Sequence, residues 1–382
     1  MRRSRPISPT DGEGRGGEGI EHTALDKHAC AACGAQAQWH PERQALVCPH
    51  CGTVAPTVLD RNTGKVREID LVVTLREMPD ELRGWLTATR SVRCRSCQAI
   101  SVFEPGRVGQ NCEFCGSSEL VDYEEIKAPL RPQSLLPFRL TVERAREAVR
   151  AWIRGRWLAP GSLKRRAALD ALNGVYLPYW TFDAAVHCRW TAESGTYYYT
   201  TETGRDSRSR VRARRVRHVR WRPAVGELDH AFDDEPVPAT RGVDHDLLRR
   251  VEPFPTRDVV PYDTAYLAGF VVEHYQVVLI EAAQRARESM VQQLRARCAS
   301  QVPGDTHRNL QVDSTFAGET FKHVLVPVWL LTYRWGGRAW QVVINGATGV
   351  VAGRCPKSPW KIALLVFAAA AALALVAFLQ SR

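Results

Sequence analysis

Two stretches decide how this chain folds: Cys30-Ala-Ala-Cys33 with Cys48-Pro-His-Cys51, and Cys94-Arg-Ser-Cys97 with Cys112-Glu-Phe-Cys115. In both, fourteen residues separate one C-x-x-C pair from the next. That is the spacing of a four-cysteine zinc site. A two-residue gap lets both thiolates of a pair reach one ion, and the longer gap forms a β-hairpin that brings the second pair around. Gly34, Gly52 and Gly116 follow three of the four pairs, where a tight turn needs positive φ; Gln98 follows the remaining one. The repetition of one spacing argues for two zinc ribbons, each holding one structural Zn²⁺.

A disulfide framework is the competing reading of these cysteines. Such frameworks belong to oxidising compartments, and Met1 to Gly19 has no apolar core of the kind a secretory signal carries. The expectation is therefore a reducing, cytosolic location. His50 lies inside a pair, but four thiolates already complete a tetrahedron, so His50 is read as solvated. Cys188, Cys298 and Cys355 have no partner pattern and are read as unliganded thiols. A closed four-thiolate site leaves no position for water, so the zinc is structural and not catalytic.

At the other end, Ile362 to Leu379 is an unbroken run of 18 apolar residues. At about 1.5 Å per residue it spans roughly 27 Å, enough for a bilayer core. Trp360 stands at the interfacial position. Arg354, Lys357 and Lys361 precede the run and only Arg382 follows it. The positive-inside rule then puts the upstream chain in the cytoplasm, a single-pass, tail-anchored arrangement.

The 382 residues carry a net charge of +11, which favours anionic partners. The expected organisation is a disordered tail over 1–27, ribbon one over 28–55, a connector with a short helix over 56–91, and ribbon two over 92–122. A Pro-rich linker at 123–138 follows, then an α+β body in two halves at 139–262 and 263–355, and a transmembrane helix over 361–379. In the connector, Ile69 to Met78 has helical spacing and stops at Pro79. In ribbon two a strand runs from Ala99 to Phe103 and a turn falls at Pro105-Gly106. Thr141 is a candidate N-cap for a helix whose apolar face is Val142, Ala145, Val149, Trp152 and Ile153. A second helix is expected over 278–299, with Leu279, Ala282, Ala283, Ala286, Met290 and Leu294 on one side. Each helix precedes a V-x-[LV]-P-x-W strand, at 175–180 and 324–329. The fold class is thus α+β, with an internal repeat of a helix followed by antiparallel strands. Pro178 and Pro327 are expected at edges or bulges, and Gly336-Gly337 and Asn345-Gly346 at hairpin turns.

Between Arg205 and Arg222 there are nine arginines and one aspartate. Arg210, Arg212, Arg214, Arg215, Arg217, Arg220 and Arg222 are the candidate anionic-surface residues. Their partial period-two spacing suggests an edge strand with arginine on the wet side, where it also blocks edge-to-edge pairing. Anionic lipid or nucleic acid are the ligands such a strand would take, with Trp221 and the Tyr197–Tyr199 run available to stack bases. Glu273-His274 and Asp233-Asp234 have no visible constellation and are read as surface or capping residues. The chain has no phosphate-cradling G-x-x-x-x-G-K-[ST] loop, no H-E-x-x-H pair and no G-x-S-x-G elbow, so the sequence reads as non-enzymatic.

Taken together, these stretches resemble the bacterial TFIIB-type zinc-ribbon membrane proteins, some of which carry helicase-like labels on the strength of the ribbon alone. Besides the two cysteine sets, the resemblance rests on Leu136-Pro-Phe-Arg-Leu-Thr141, Arg156-Trp-Leu-Ala-Pro160, Gly174-Val-Tyr-Leu-Pro-Tyr-Trp180, Phe232-Asp-Asp234, Pro261-Tyr-Asp263, Tyr266-Leu-Ala-Gly-Phe270, Phe321-Lys-His323 and Ile344-Asn-Gly346. It implies an adaptor that recruits protein partners to the membrane, among them phage-shock-protein-A-like (ESCRT-III-related) or SPFH-domain proteins in envelope stress. A membrane-tethered nucleic-acid-binding protein is the other expectation.

Overall fold

The computed structural model describes residues 28–54, 66, 68–77, 90–103, 112, 114–115, 117–122, 130–160, 172–205, 211–335 and 338–380. The tail at 1–27, the Pro105-Gly106 and Gly336-Gly337 turns, Gly116 and Arg210 lie outside the described residues.

The body is a mixed α+β structure on one large sheet. Its two longest strands are β8 (Leu172–Arg205) and β12 (Thr306–Trp335), 34 and 30 residues long. They pair antiparallel from Leu172↔Leu331 to Gly195↔Thr306. At about 3.3 Å per residue the contour of β8 is roughly 110 Å. β9 (Val211–Pro238) pairs with β8 alone and is an edge. On the other side β12 pairs with β13 (Arg338–Asn345), which carries β14 (Val351–Gly353). β7 (Ser134–Leu135) lies parallel to β12, with β10 (Val260–Pro261) beyond it, and β3 (Ile69–Asp70), which leads into α1 (Leu71–Glu77), pairs with β12 at Thr320 and Phe321.

The strand cores around the two prolines read as unbroken apolar runs because both faces of the sheet are covered there. On one face Tyr176, Leu325, Trp329 and Leu331 pack under α2 (Val142–Arg154) and against Ala37, Trp39 and Leu46 of the first ribbon. On the other, Val175, Leu177, Val326 and Val328 pack under the second ribbon and α3 (His245–Val251). Further along, α4 (Leu279–Gln301) lies on Trp180, Val186, Cys188 and Trp190 through Ala282, Ala286, Met290, Leu294 and Cys298. Thr141 caps α2 as its spacing suggests, its hydroxyl accepting from Arg144 N.

Pro178 and Pro327 are not at sheet edges. Each lies where the neighbouring strand changes. β8 leaves β11 (Val271–Glu273) at Tyr176 and meets β9 at Tyr179. β12 leaves β7 at Leu325 and meets β13 at Val328. At such a switch no partner carbonyl requires an N–H, so proline costs no ladder bond.

The linker expected at 123–138 is corrected for its described part, 130–138. Leu130, Leu135, Leu136 and Phe138 are buried, Gln133 N donates to His323 O and Leu136 N to Leu325 O. Four apolar side chains gain more by burial than the proline signal costs, and Pro132 and Pro137 flank β7 without standing in it. The ribbons are therefore not a head on a tether but part of the body.

α5 (Pro359–Gln380) is the one helix among the described residues long and apolar enough to cross a membrane, and it buries none of its apolar window against the body.

Candidate metal centres and a cationic arm

In the first ribbon, β1 (Gln38–His40) and β2 (Ala45–Val47) form the hairpin that carries Cys48 and Cys51 back to Cys30 and Cys33. In the second, β4 (Arg90–Cys94), β5 (Ile100–Phe103) and β6 (Leu120–Asp122) do the same for Cys94, Cys97, Cys112 and Cys115. The knuckles repeat one hydrogen-bond pattern. Gly34 N donates to Cys30 O, Gly52 N to Cys48 O and Gln98 N to Cys94 O, while Cys30, Cys48, Cys94 and Cys112 N donate to the carbonyls of Ala35, Thr53, Ala99 and Ser117. Gly34 and Gly52 have φ of 73° and 72°; Gln98, the one residue out of pattern, takes 66° as well.

Within each set all four sulfurs lie within 4.8 Å of one another. Cys30–Cys51 and Cys97–Cys112 are 3.6 Å apart, Cys33–Cys48 and Cys94–Cys115 3.5 Å. A disulfide needs about 2.05 Å, whereas four thiolates about 2.3 Å from a central ion lie roughly 3.8 Å from each other. The donor sets fit two metal ions. Within each set the thiols hydrogen-bond one another, which holds some towards thiolate, the ligating form, and pushes others away from it. Hydrogen bonding with the Thr53 side chain holds the Cys51 thiol down to about 6. Hydrogen bonding with Cys97 holds Cys112 down to about 5 and pushes Cys97 up. Cys188 and Cys298 are buried in the core and Cys355 is half-buried, and none of the three is in a disulfide.

Both ribbons are fastened to the body. Trp39 N donates to Ala268 O, Trp39 packs on Tyr266 with centroids 4.3 Å apart, and Gln44 Nε2 donates to Phe138 O. β5 joins the main sheet through β11, and Gln341 Nε2 donates to Phe114 O beside Cys115.

The arginine run forms β9 beyond the body. α4 ends near Trp190, whose indole N–H donates to Gln301, and β12 begins opposite Gly195. Past that level the ribbon is two-stranded and wet on both faces. Arginine consequently occupies both faces and not one. Arg215 stacks 4.1 Å over Tyr199 and Arg217 4.5 Å over Tyr197, while on the opposite face Arg220 lies 5.5 Å over Tyr198. Arg308 covers Trp221 at 4.2 Å. Arg214 and Arg222 are exposed. The aromatics expected to stack bases instead bear guanidinium planes; at Arg215, Arg217 and Arg220 the N–H edges face solvent, while Arg308 Nε donates to Glu193. The end of β8 away from this arm, where Leu172 meets Leu331, lies beside β13 and β14, and the tip of the arm is at the opposite end of β8.

Polar residues expected at the surface prove buried. Glu273 and His274 are 0% and 2% exposed. Burial pushes Glu273 up to about 8 and His274 down to about 4. His323, also buried, falls to about 3 by burial and its Nδ1 lies 3.1 Å from Leu130 O. Asp234 is no isolated acid: Lys322 Nζ lies 2.6 Å from it, 3.4 Å from Glu68 and 3.8 Å from Asp183. Register shifts in β8–β9 at Phe182/Ala184 and in β8–β12 at Ala317/Thr320 meet at this level. The Lys322 ammonium makes Asp183 and Asp234 an ion-pair cluster that ties a three-strand bend, with the exposed Asp233 beside it. The one cue in the sequence is Phe321-Lys-His323, two polar residues inside an apolar strand.

No family model matches the chain, and no solved structure matches it. It is 26% identical over 257 residues to the uncharacterized protein YdjG of Bacillus subtilis (strain 168), a match spanning 65% of this chain and 70% of that relative.

Proposed function

We propose that the chain is a membrane-anchored zinc-ribbon adaptor of the TFIIB-type kind that recruits cytosolic protein partners, among them ESCRT-III-like or SPFH-like proteins in envelope stress. Each four-thiolate cluster holds one Zn²⁺, and α5 crosses the membrane with the body on the cytoplasmic side, where Arg354, Lys357 and Lys361 precede the span. The observation that carries the reading is the fastening of both closed metal clusters to the same sheet that leads into the membrane-length helix. Zinc there shapes rigid surfaces at a fixed distance from the bilayer, and a site with four protein ligands offers no position for reacting water. The test is crosslinked affinity purification from solubilised membranes, with and without nuclease. The adaptor predicts nuclease-resistant recovery of cytosolic proteins, lost in Cys48→Ser/Cys51→Ser while the chain stays in the membrane. Recovery indifferent to that variant sinks the ribbon as the recruiting surface.

The arm favours a second reading, a membrane-tethered nucleic-acid-binding protein. Cations on both faces of a two-stranded ribbon suit the two phosphate walls of a groove better than one flat surface. This reading predicts affinity for duplex DNA that falls steeply with salt and is lost in Arg212→Ala/Arg214→Ala/Arg215→Ala/Arg217→Ala.

A further inference from the structure

We infer that the junction between body and anchor is a binding site for one anionic glycerophospholipid; the inference rests on α5 being a membrane span. A cleft of about 730 Å³ opens there, between the segment that follows α2 and the segment that leads into α5. Trp157, Leu158, Trp340 and Pro356 supply apolar walls, and Arg156 and Lys357 supply charge. The volume falls within the range of ligand pockets.

The two walls are locked together. Ser358 N donates to Leu158 O. Lys361 Nζ donates to Trp157 O at 2.7 Å and to Ala159 O at 2.8 Å. The first turn of the anchor is thus seated on the body, and the cleft lies at a fixed depth beside it. Only five positions separate Lys357 from Ile362, where the apolar run begins, so at most about 17 Å of chain lies between the cleft and the hydrocarbon. That is headgroup depth. Trp157 and Trp360 are 58% and 82% exposed, an otherwise costly display of indole that suits the bilayer interface.

Charge selects the headgroup. Arg354 is committed to Asp244 at 2.7 Å. Arg156 stacks 4.7 Å over Trp152, which leaves its N–H edges available, and among the described residues neither it nor Lys357 is held in an ion pair. A phosphate placed between them meets two cations, while Trp157 and Leu158 take the glycerol and the start of an acyl chain. A soluble phosphate would leave the indole walls unused, so a lipid fits better than a free anion.

The test uses the full chain, extracted in detergent with equal parts of phosphatidylglycerol and phosphatidylcholine and read by native mass spectrometry. Retained phosphatidylglycerol should exceed phosphatidylcholine by about thirtyfold, the worth of two interfacial cations. Arg156→Gln/Lys357→Gln should abolish that preference and Lys357→Gln alone should reduce it, both with the chain still resistant to carbonate extraction. Equal retention of the two lipids in a carbonate-resistant wild type overturns the site and leaves the anchor standing. Release of the wild type by carbonate overturns the anchor and the site with it. Complete displacement by glycerol phosphate overturns the lipid in favour of a soluble anion.

Discussion

Replacing Lys322 by Met removes the cation from the bend cluster and keeps most of its volume. Lys322 is 8% exposed at the side chain, and its two least exposed acid partners, Asp234 and Asp183, are 13% and 14% exposed. Glu68, 49% exposed, can rehydrate and contributes little. Breaking a buried ion pair costs about 3–5 kcal/mol, because the remaining charge is left unpaired. Asp183 keeps hydrogen bonds from Asp234 N at 2.7 Å and Thr320 Oγ1 at 3.0 Å, which places the expected loss near the low end, about 3 kcal/mol. The loss is pH-dependent with a definite sign. Burial already raises the Asp183 pKa against the pull of the Asp234 N–H and Lys322. Without Lys322 it rises further, so protonation at mildly acidic pH relieves the unpaired charge. The wild type holds the opposite balance: burial opposes the Lys322 charge, yet the Asp234 hydrogen bond and Asp183 outweigh it and raise its pKa. Urea unfolding of the full chain in detergent, followed by tryptophan fluorescence near pH 5 and pH 7.5, should show the larger deficit at the higher pH. A deficit under about 1 kcal/mol at both values, the range of an exposed pair, would refute the cluster's role.

Two further outcomes follow from buried or strained groups. Glu273, fully buried and raised to about 8, binds its proton more tightly folded than unfolded. Its contribution to stability is therefore present at low pH and lost as pH rises from about 4.5 towards 8, a few kcal/mol in all. Glu273→Gln should raise the urea midpoint at pH 8 and leave it nearly unchanged at pH 5. Gln98 holds φ of 66° in a knuckle where its counterparts are glycine. Gln98→Gly relieves about 1–2 kcal/mol of left-handed strain against the entropy glycine adds to the unfolded chain, about 0.5–1 kcal/mol. The thermal midpoint should rise slightly; a fall would show that the Gln98 bond to Arg95 O, at 2.8 Å, dominates.

The two metal-ligand sets, the first ribbon's hairpin, α2 with its cap, α4 and the membrane-length helix were legible because each is specified locally. Spacing, period and capping chemistry are properties of a few neighbouring residues. What was not legible depends on distant chain. Pro178 and Pro327 read as edge residues because their tolerance comes from where other strands end. Residues 130–138 read as linker because β7 is two residues long and stabilised by its partners. Lys322, Glu273 and His323 carried no signal beyond polar character in apolar surroundings. The alternation of the arginine run correctly marked a strand, but Arg214-Arg215 breaks the period, and the absence of α4 and β12 alongside leaves both faces wet.

The metal content of the full chain purified from membranes decides whether two closed metal clusters are integral to a membrane-held body. Two zinc ions per chain are expected in the wild type and one in Cys48→Ser/Cys51→Ser, whose second cluster is intact. Wild-type protein that carries no zinc, with its cysteines paired as disulfides, would contradict that expectation.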